Sequence, residues 1–160
     1  MNEIVYVETT IFSFYHDVRT SATVVAMRQW TREWWESQRH QYDLLTSTAV
    51  LAELAAGRMP HRTDALAMAR RLSAIPVEDD IREIVEVYIK HQVMPAQPLG
   101  DALHLALASF HKVDYLLTWN CKHLANANKF AHIRRVNALI GLPTPALVTP
   151  IELMGGEVSS

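Results

Sequence analysis

The sequence lacks the features that define several whole classes of protein. Its 160 residues include a single cysteine, Cys121, which cannot form an internal disulfide and has no cysteine neighbour for a zinc or redox motif. A lone cysteine is typical of a reducing compartment. No apolar run approaches the roughly 18 residues of a membrane span, and the N-terminus has no basic stretch leading into an apolar one. We therefore expect a cytoplasmic protein with no membrane partner.

Glycine and proline are also scarce, with 5 and 7 residues, and the chain has neither an internal repeat nor a low-complexity linker. The composition, 49% apolar and 20% charged, is that of a compact globular protein rather than a disordered or fibrous one. Its length is close to the commonest size of one domain. We expect a single domain over residues 1–154, followed by a flexible tail over residues 155–160.

Hydrophobic patterning predicts short strands that alternate with helices. The strands are expected over residues 4–7, 42–46, 115–117 and 146–149. Helices are expected over residues 21–38, 47–57, 100–112 and 126–140, with two more beginning after Pro60 and at Asp79-Asp80. Alternation of this kind implies parallel strands joined by crossover helices. The expected fold is a three-layer α/β/α sandwich with a central, mostly parallel sheet.

Charged residues are almost missing from three stretches of the chain. Residues 4–16, 44–57 and 91–111 each contain one charged side chain, and each time it is a carboxylate: Glu8, Glu53 and Asp101. An ionised carboxylate left unpaired in the interior costs several kcal/mol, so each must be neutralised, exposed or held near a cation. Glu8 follows the first predicted strand, at the edge where parallel sheets bind ligands. Asp101 lies at a predicted helix N-terminus, where the helix dipole favours negative charge.

These three carboxylates have two interpretations. If they converge on one point they repel one another, and a hard divalent cation relieves the repulsion. Ligation by oxygen alone favours Mg²⁺ or Mn²⁺ over zinc. Alternatively, each acid is separately a helix cap, the partner of a distant arginine, or exposed. Glu53 lies in the apolar segment 48–56, most of whose surface we expect to be buried.

At these residues the sequence resembles the PIN-domain nucleases, and more narrowly the VapC-type toxin ribonucleases. Four motifs in the family's order carry the resemblance within residues 4–153: Val7-Glu8-Thr9-Thr10, Ser47 through Glu53, Asp101 with its alanine-rich helix, and Leu116-Leu117-Thr118-Trp119-Asn120. The resemblance implies a metal-dependent endoribonuclease. Its Mg²⁺ or Mn²⁺ would be held by the catalytic residues Glu8, Glu53, Asp101 and Asn120. Supporting hydrogen bonds would come from Thr9 and Thr118, and the family's first and fourth strands, here residues 4–7 and 115–117, would be neighbours.

The resemblance also implies partners. These are an RNA substrate, single-stranded or in a structured loop, an antitoxin protein, and a second copy of the chain in a homodimer. Two positions depart from the family pattern, because Glu8 replaces the more common aspartate and Asn120 is neutral. They leave open a catalytically weakened PIN-fold module that binds nucleic acid or protein. A phosphatase of the haloacid dehalogenase kind is disfavoured, since it needs Asp-x-Asp where this chain has Glu8-Thr9-Thr10.

Other residues also have two interpretations. His104, three positions after Asp101, is either part of the site or a hydrogen-bonded core residue. The tryptophans at 30, 34 and 35 form either core and protein-contact surface or a platform for stacking bases. Cys121 is not expected to be a nucleophile, because His123 would point elsewhere on a helix. Residues 115–151 contain no acid, and their basic side chains are either phosphate contacts or a solvated face: Lys122, Lys129, Arg134 and Arg135.

Overall fold

The computed structural model describes residues 1–155 of the chain. Five strands form one sheet in the order β3-β2-β1-β4-β5, and every neighbouring pair is parallel. The strands are β1 (Ile4–Val7), β2 (Asp43–Ser47), β3 (Ser73–Ile75), β4 (Tyr115–Leu117) and β5 (Ala146–Val148). The predicted three-layer α/β/α fold is confirmed, with a sheet that is parallel throughout the described residues.

The helices connect these strands and cover the sheet. They are α1 (Thr9–Tyr15), α2 (Ala22–Gln38), α3 (Thr48–Ala56), α4 (Arg62–Ala69), α5 (Asp79–Lys90), α6 (Gly100–Phe110) and α7 (Phe130–Leu139). Short 3₁₀ turns occupy Arg39–Gln41 and Ala127–Lys129. Within residues 1–155, none of the helices is both long enough and apolar enough to cross a membrane.

Two elements were not predicted from the sequence. The first, α1, consists of threonines, aromatic residues, one isoleucine and one serine, which have modest helix propensity. It forms because Glu8 caps it by accepting the N–H of Thr10, and because Ile11 and Phe12 are buried. The second, β3, has three residues, pairs only with β2 and ends directly before Pro76. An edge strand tolerates proline at that position, so the break predicted at residues 75–77 is the end of a strand.

The core surrounds the two central strands. The side chains of β1 at Val5, Tyr6 and Val7 are fully buried, as are Leu116 and Leu117 in β4. Each of these two strands lies between two other strands of the sheet. Their burial is typical of a parallel sheet that helices cover on both faces. The carboxyl ends of these two strands position the side chains that follow them.

The helices that cover the sheet differ in how much of their surface is buried. In α2, Trp34 is buried and its indole N–H donates to the carbonyl of Leu153, while Trp30 is partly exposed, so this face is mainly core. In α3, Val50 and Leu54 are buried, but the alanines at 52, 55 and 56 are exposed. The expectation that most of the α3 surface is buried is therefore wrong, because only one stripe of this short helix packs inward.

The predicted tail over residues 155–160 lies outside the described residues, apart from Gly155. The N–H of Gly155 donates to the Gln38 side chain at 3.2 Å. The domain boundary at residue 154 stays a prediction.

Candidate metal centre

The parallel sheet brings distant parts of the chain to one edge. β1 pairs with β4 on one side and with β2 on the other. Glu8 follows β1, Thr118 follows β4, and Ser47 ends β2. The predicted neighbourhood of the first and fourth strands is confirmed, and these side chains meet where parallel sheets form ligand sites.

Glu8 is the deepest acid of this edge, with 4% of its surface exposed. One carboxylate oxygen, Oε1, accepts hydrogen bonds from the hydroxyls of Thr10 and Thr118, both at 2.6 Å, and from the Thr10 N–H at 3.2 Å. The expected support from Thr118 is present. Burial raises the pKa of Glu8, although the charge of His104 and the threonine hydrogen bonds oppose the rise. The other oxygen, Oε2, has no such donors and lies 4.0 Å from His104 Nε2.

Glu53 extends from α3 towards the same imidazole. Its Oε1 lies 2.5 Å from His104 Nε2, and its Oε2 accepts the Thr9 hydroxyl at 3.1 Å. Burial tends to raise the pKa of Glu53, but the hydrogen bond and charge of His104, helped by Thr9, lower it below the usual value. Ligand atoms of Glu8, Glu53 and His104 all lie within 4.8 Å of one another. We call these three residues the acidic cluster.

His104 is held from behind by a buried hydrogen-bond chain. Its Nδ1 lies 2.7 Å from the Tyr6 hydroxyl, which lies 2.7 Å from Ser47 Oγ. Ser47 also caps α3, by accepting the Val50 N–H at 3.1 Å. Burial tends to lower the pKa of His104, but its hydrogen bond to Glu53 and the surrounding carboxylates raise it overall. We call the chain Tyr6, Ser47, His104 and Glu53 the Tyr6 network.

Asp101 and Asn120 form the outer part of the site. The Asn120 Nδ2 donates to Asp101 Oδ1 at 2.8 Å, and the Asn120 Oδ1 accepts the His123 N–H at 3.1 Å. Burial raises the pKa of Asp101, as does the charge of Glu53, while His123 and His104 oppose the rise. Asp101 therefore lies within electrostatic reach of the acidic cluster. Among the described residues, Asp101 does not belong to the group whose ligand atoms all lie within 4.8 Å of one another.

Gly100 explains how α6 approaches Glu53 so closely. A Cβ atom built on Gly100 would lie 2.9 Å from Glu53 Oε1, closer than real Cβ contacts. Only glycine allows this approach without moving the carboxylate. Gly100 thus leaves room for Glu53 at the N-terminus of α6, and Asp101, the next residue, is held beside the site.

A cleft of about 330 Å³ is lined in part by His123 and Lys129, whose charges both interact with Asp101. Its lining also includes Met94 and Pro95. The Lys129 ammonium is close enough to Asp101 for that carboxylate to oppose the lowering of the Lys129 pKa by burial. Of the basic residues singled out in the sequence, Lys129 is half-buried at this cleft, and the others are exposed: Lys122, Arg134 and Arg135.

The sequence motifs did not assign Tyr6, Ser47 or Gly100 to the site, and left His104 open. A signal for Tyr6 was available, since a buried tyrosine hydroxyl in an otherwise aliphatic strand needs a polar partner. Ser47 was named as the start of a family motif, and in the structure its one side-chain oxygen both caps α3 and contacts Tyr6. Cys121 is exposed, and the expectation that it is not a nucleophile stays a prediction.

Comparison with known proteins agrees with the fold and the motifs. The PIN domain family model matches residues 5–128. A toxin–antitoxin complex from Klebsiella pneumoniae is similar at 19% identity and a TM-score of 0.54, over 78% of this chain and 93% of that chain. VapBC2 from Rickettsia felis, bound to a DNA fragment of its promoter, is similar at 15% identity and a TM-score of 0.55. That similarity covers 91% of this chain and 96% of the other.

At these identities the structural likeness shows a shared fold. No curated protein matches the sequence significantly. The family model spans well over half of the chain, including Glu8, Glu53, Asp101 and Asn120. The chain therefore belongs to the PIN domain family.

Proposed function

We propose that this chain is a metal-dependent endoribonuclease and the toxin of a toxin–antitoxin pair. The observation that carries the proposal is the acidic cluster at the strand ends of a PIN domain, with Asp101 beside it. The site contains carboxylates that can ligate a divalent cation, and one of them, Glu8, is buried, so a cation would compensate its charge. Similarity to toxin–antitoxin complexes supports the narrower role of a VapC-type toxin.

The donor set fits a divalent cation, and we assign Mg²⁺ or Mn²⁺ to Glu8, Glu53, Asp101 and Asn120. Burial disfavours the ionised form of Glu8, so a cation beside it compensates a charge that the surrounding protein leaves uncovered. Asn120 already uses its amide nitrogen on Asp101 and one lone pair of its oxygen on His123. It therefore contributes by orienting Asp101, or through the remaining lone pair.

When bound, the cation stabilises negative charge on the phosphate and makes water a stronger nucleophile. The protein supplies fixed acceptors. Thr10 and Thr118 hold one oxygen of Glu8 and leave the other without such donors, and Thr9 donates to one oxygen of Glu53. Because Glu8 is held before substrate arrives, it needs little reorganisation during the reaction.

RNA, single-stranded or in a structured loop, would reach this site through the cleft beside Asp101. The carboxylates repel a phosphate, so a positive side chain near them is needed to hold the backbone. Lys129 lies at the cleft and within reach of Asp101. Phosphate contacts of this kind hold the strand without reading its sequence.

The proposal is tested by incubating the purified protein with a single-stranded RNA and Mg²⁺ or Mn²⁺. Asp101→Asn removes a proposed ligand, and Glu86→Gln on α5 is a control that changes an exposed carboxylate away from the site. We expect the parent and the control to cleave RNA, EDTA to stop them, and Asp101→Asn to be inactive. Cleavage by Asp101→Asn or in EDTA would contradict the proposal. RNA binding without cleavage by the parent would favour the catalytically weakened module.

The toxin role has a separate test. Induced expression of the parent chain in a bacterial host should arrest growth, whereas Asp101→Asn should not. An antitoxin is then the protein whose co-expression relieves the arrest and which co-purifies with the chain. Light scattering of the purified protein checks the proposed homodimer. A parent chain that never affects growth would contradict the toxin role while leaving nuclease activity open.

A further inference from the structure

We propose that Nε2 of His104 is itself a ligand of the cation, and that this nitrogen makes the site prefer Mn²⁺ to Mg²⁺. The inference rests on the proposed function only in requiring that a divalent cation binds at the acidic cluster. The motifs assigned oxygen ligands alone. The structure places an imidazole among them.

His104 is buried, and its Nε2 faces both carboxylates of the acidic cluster. Its Nε2 lies 2.5 Å from Glu53 Oε1 and 4.0 Å from Glu8 Oε2. Ligand bonds of about 2.0–2.2 Å separate two donors on opposite sides of an ion by about 4 Å. The separation of His104 and Glu8 therefore already suits an ion between them. Glu53 has a side chain that is 39% exposed, so it can move aside from the imidazole to become the next ligand.

A hydrogen-bond partner lies behind the ring, as it does behind most histidine ligands in metalloproteins. A ligating histidine almost always makes a second hydrogen bond through its other nitrogen, which fixes the ring and its tautomer. Here Nδ1 bonds Tyr6, which bonds Ser47, and all three residues are buried. This arrangement extends 98 residues along the sequence between Tyr6 and His104, so it is a product of the tertiary fold.

The Tyr6 network can run in either direction. With Nε2–H donating to Glu53, the Tyr6 hydroxyl donates to Nδ1 and accepts from Ser47. With Nε2 bound to a cation, Nδ1–H donates to Tyr6, and the Tyr6 hydroxyl donates to Ser47 Oγ. The ring changes tautomer between the two states: it loses the hydrogen on Nε2 and gains one on Nδ1, with no net change in the number of protons, and the hydroxyl hydrogens of Tyr6 and Ser47 rotate to match. Burial raises the pKa of Tyr6 well above its usual value, so its hydroxyl retains the proton that this exchange requires.

The nitrogen ligand has a consequence for metal choice. Mg²⁺ requires oxygen ligands and nearly ideal octahedral geometry. Affinity for imidazole nitrogen is higher for first-row transition ions, of which Mn²⁺ is the one that also suits carboxylates. A site of two or three carboxylates and one imidazole therefore binds Mn²⁺ more tightly than an all-oxygen site would, with no gain for Mg²⁺.

The direct test is pulsed electron paramagnetic resonance on the full protein loaded with Mn²⁺. A nitrogen that ligates Mn²⁺ gives a resolved ¹⁴N coupling. We expect this coupling in the parent, its loss in His104→Gln, and its retention in His111→Gln, which changes an exposed histidine on the same helix segment. Bound Mn²⁺ without nitrogen coupling in the parent would overturn the inference, as would a parent that binds no Mn²⁺. This spectrum of the parent decides the question even if His104→Gln does not fold.

Metal titrations followed by thermal melting give a second readout. In the parent, Mn²⁺ should bind at least about tenfold more tightly than Mg²⁺, and His104→Gln should lose that preference while still binding Mg²⁺. Tyr6→Phe leaves the His104 imidazole in place but removes the hydroxyl that contacts its Nδ1. Mn²⁺ affinity should therefore fall about tenfold or more, while the nitrogen coupling is retained. Equal Mn²⁺ preference in the parent and His104→Gln would contradict the assignment.

RNA cleavage measured on the same samples separates this inference from the proposed function. Nitrogen coupling without cleavage supports the His104 ligand and contradicts the nuclease. Cleavage with bound Mn²⁺ but without nitrogen coupling supports the nuclease and contradicts the ligand.

Discussion

Two buried tyrosines, Tyr6 and Tyr88, anchor hydrogen-bond networks with very different ends. Tyr88 on α5 donates to Asn137 Oδ1 at 2.6 Å and lies 3.3 Å from Ser109 Oγ. The Asn137 amide donates in turn to Ser109 at 3.1 Å and to Thr144 at 3.0 Å. These residues, which we call the Tyr88 network, are neutral and join α5, α6 and α7. Burial raises the pKa of Tyr88 to about 12, so it stays neutral as well.

The Tyr6 network starts in the same way, with a tyrosine hydroxyl bonded to a serine, but it ends in an imidazole and a carboxylate. Its last member, Glu53, is partly exposed, and Glu8 lies beside it with a raised pKa. The Tyr88 network is neutral and its polar groups are paired with one another, so it stabilises the fold without a ligand. A network that ends in neighbouring carboxylates is stabilised further by a cation. The Tyr88 network holds helices together, whereas the Tyr6 network ends where the proposed cation would bind.

The largest effect that would separate the two networks is expected from Glu8→Gln. Glutamine keeps the acceptor that Thr10 and Thr118 use, but it removes the charge that holds the cation. RNA cleavage should fall by more than about 100-fold, since even outer residues of a metal site cost 10- to 100-fold. The free energy of unfolding should stay level or rise. Steady-state cleavage and denaturant melts measure both, and unchanged cleavage would remove the acidic cluster from the reaction.

A matched pair of tyrosine substitutions sharpens the comparison. Tyr88→Phe leaves the Asn137 oxygen without its donor, and should lower the free energy of unfolding by about 1–3 kcal/mol with RNA cleavage unchanged. Tyr6→Phe should cost a similar amount of stability and should also weaken metal binding. Urea melts and metal titrations on both variants provide the measurement. Equal metal affinities in the two variants would mean that the Tyr6 network is structural only.

Much of this arrangement could be predicted from the sequence, because local patterns determine it. Periodicity predicted four of the strands, and the rarity of charge picked out Glu8, Glu53 and Asp101. What failed depends on long-range contacts. The edge strand β3 is too short for a pattern, and α1 forms because its residues are buried against the rest of the fold. The burial of His104 against Tyr6 joins residues 98 positions apart, which no local pattern encodes.

Gly100→Ala disturbs the Tyr6 network without changing any of its members. The new methyl group meets the far end of the flexible Glu53 side chain, so the carboxylate should move and stability should change little. Because the displaced carboxylate of Glu53 is a proposed ligand, cleavage should fall by about tenfold, in the range found for groups that orient metal ligands. Cleavage assays and thermal melts give the two readouts. Parent-like cleavage would show that the exact position of Glu53 is unimportant.

The two glutamates of the site should respond to pH with opposite signs. The pKa of folded Glu8 is raised, so its contribution to stability is greatest at acid pH and is lost as pH rises through that pKa. The pKa of folded Glu53 is lowered, so its contribution is present near neutral pH and is lost as pH falls through that pKa. Near neutral pH, Glu8→Gln should therefore stabilise the metal-free protein and Glu53→Gln should destabilise it. Both differences should shrink in acid melts, and equal signs would contradict the assignment.

The smallest effect concerns the cleft outside both networks. If Lys129 contacts a phosphate, Lys129→Ala should weaken RNA binding equally across sequences and reduce the slope of log affinity against log salt by about 0.7. Arg135→Ala on the exposed face of α7 is the matched control. Binding titrations at several salt concentrations measure the slope. An unchanged slope for Lys129→Ala would move the path of RNA away from this cleft, towards the arginines at 58, 62, 70 and 71.

The most direct test of the central claim is an anomalous diffraction map of crystals grown with Mn²⁺. The account predicts a peak between Glu8 and Glu53, with carboxylate oxygens about 2.0–2.6 Å from the ion. It predicts no peak at the neutral Tyr88 network. Crystals that bind Mn²⁺ only elsewhere, or that leave Glu8 and Glu53 without an ion at saturating Mn²⁺, would contradict the metal centre.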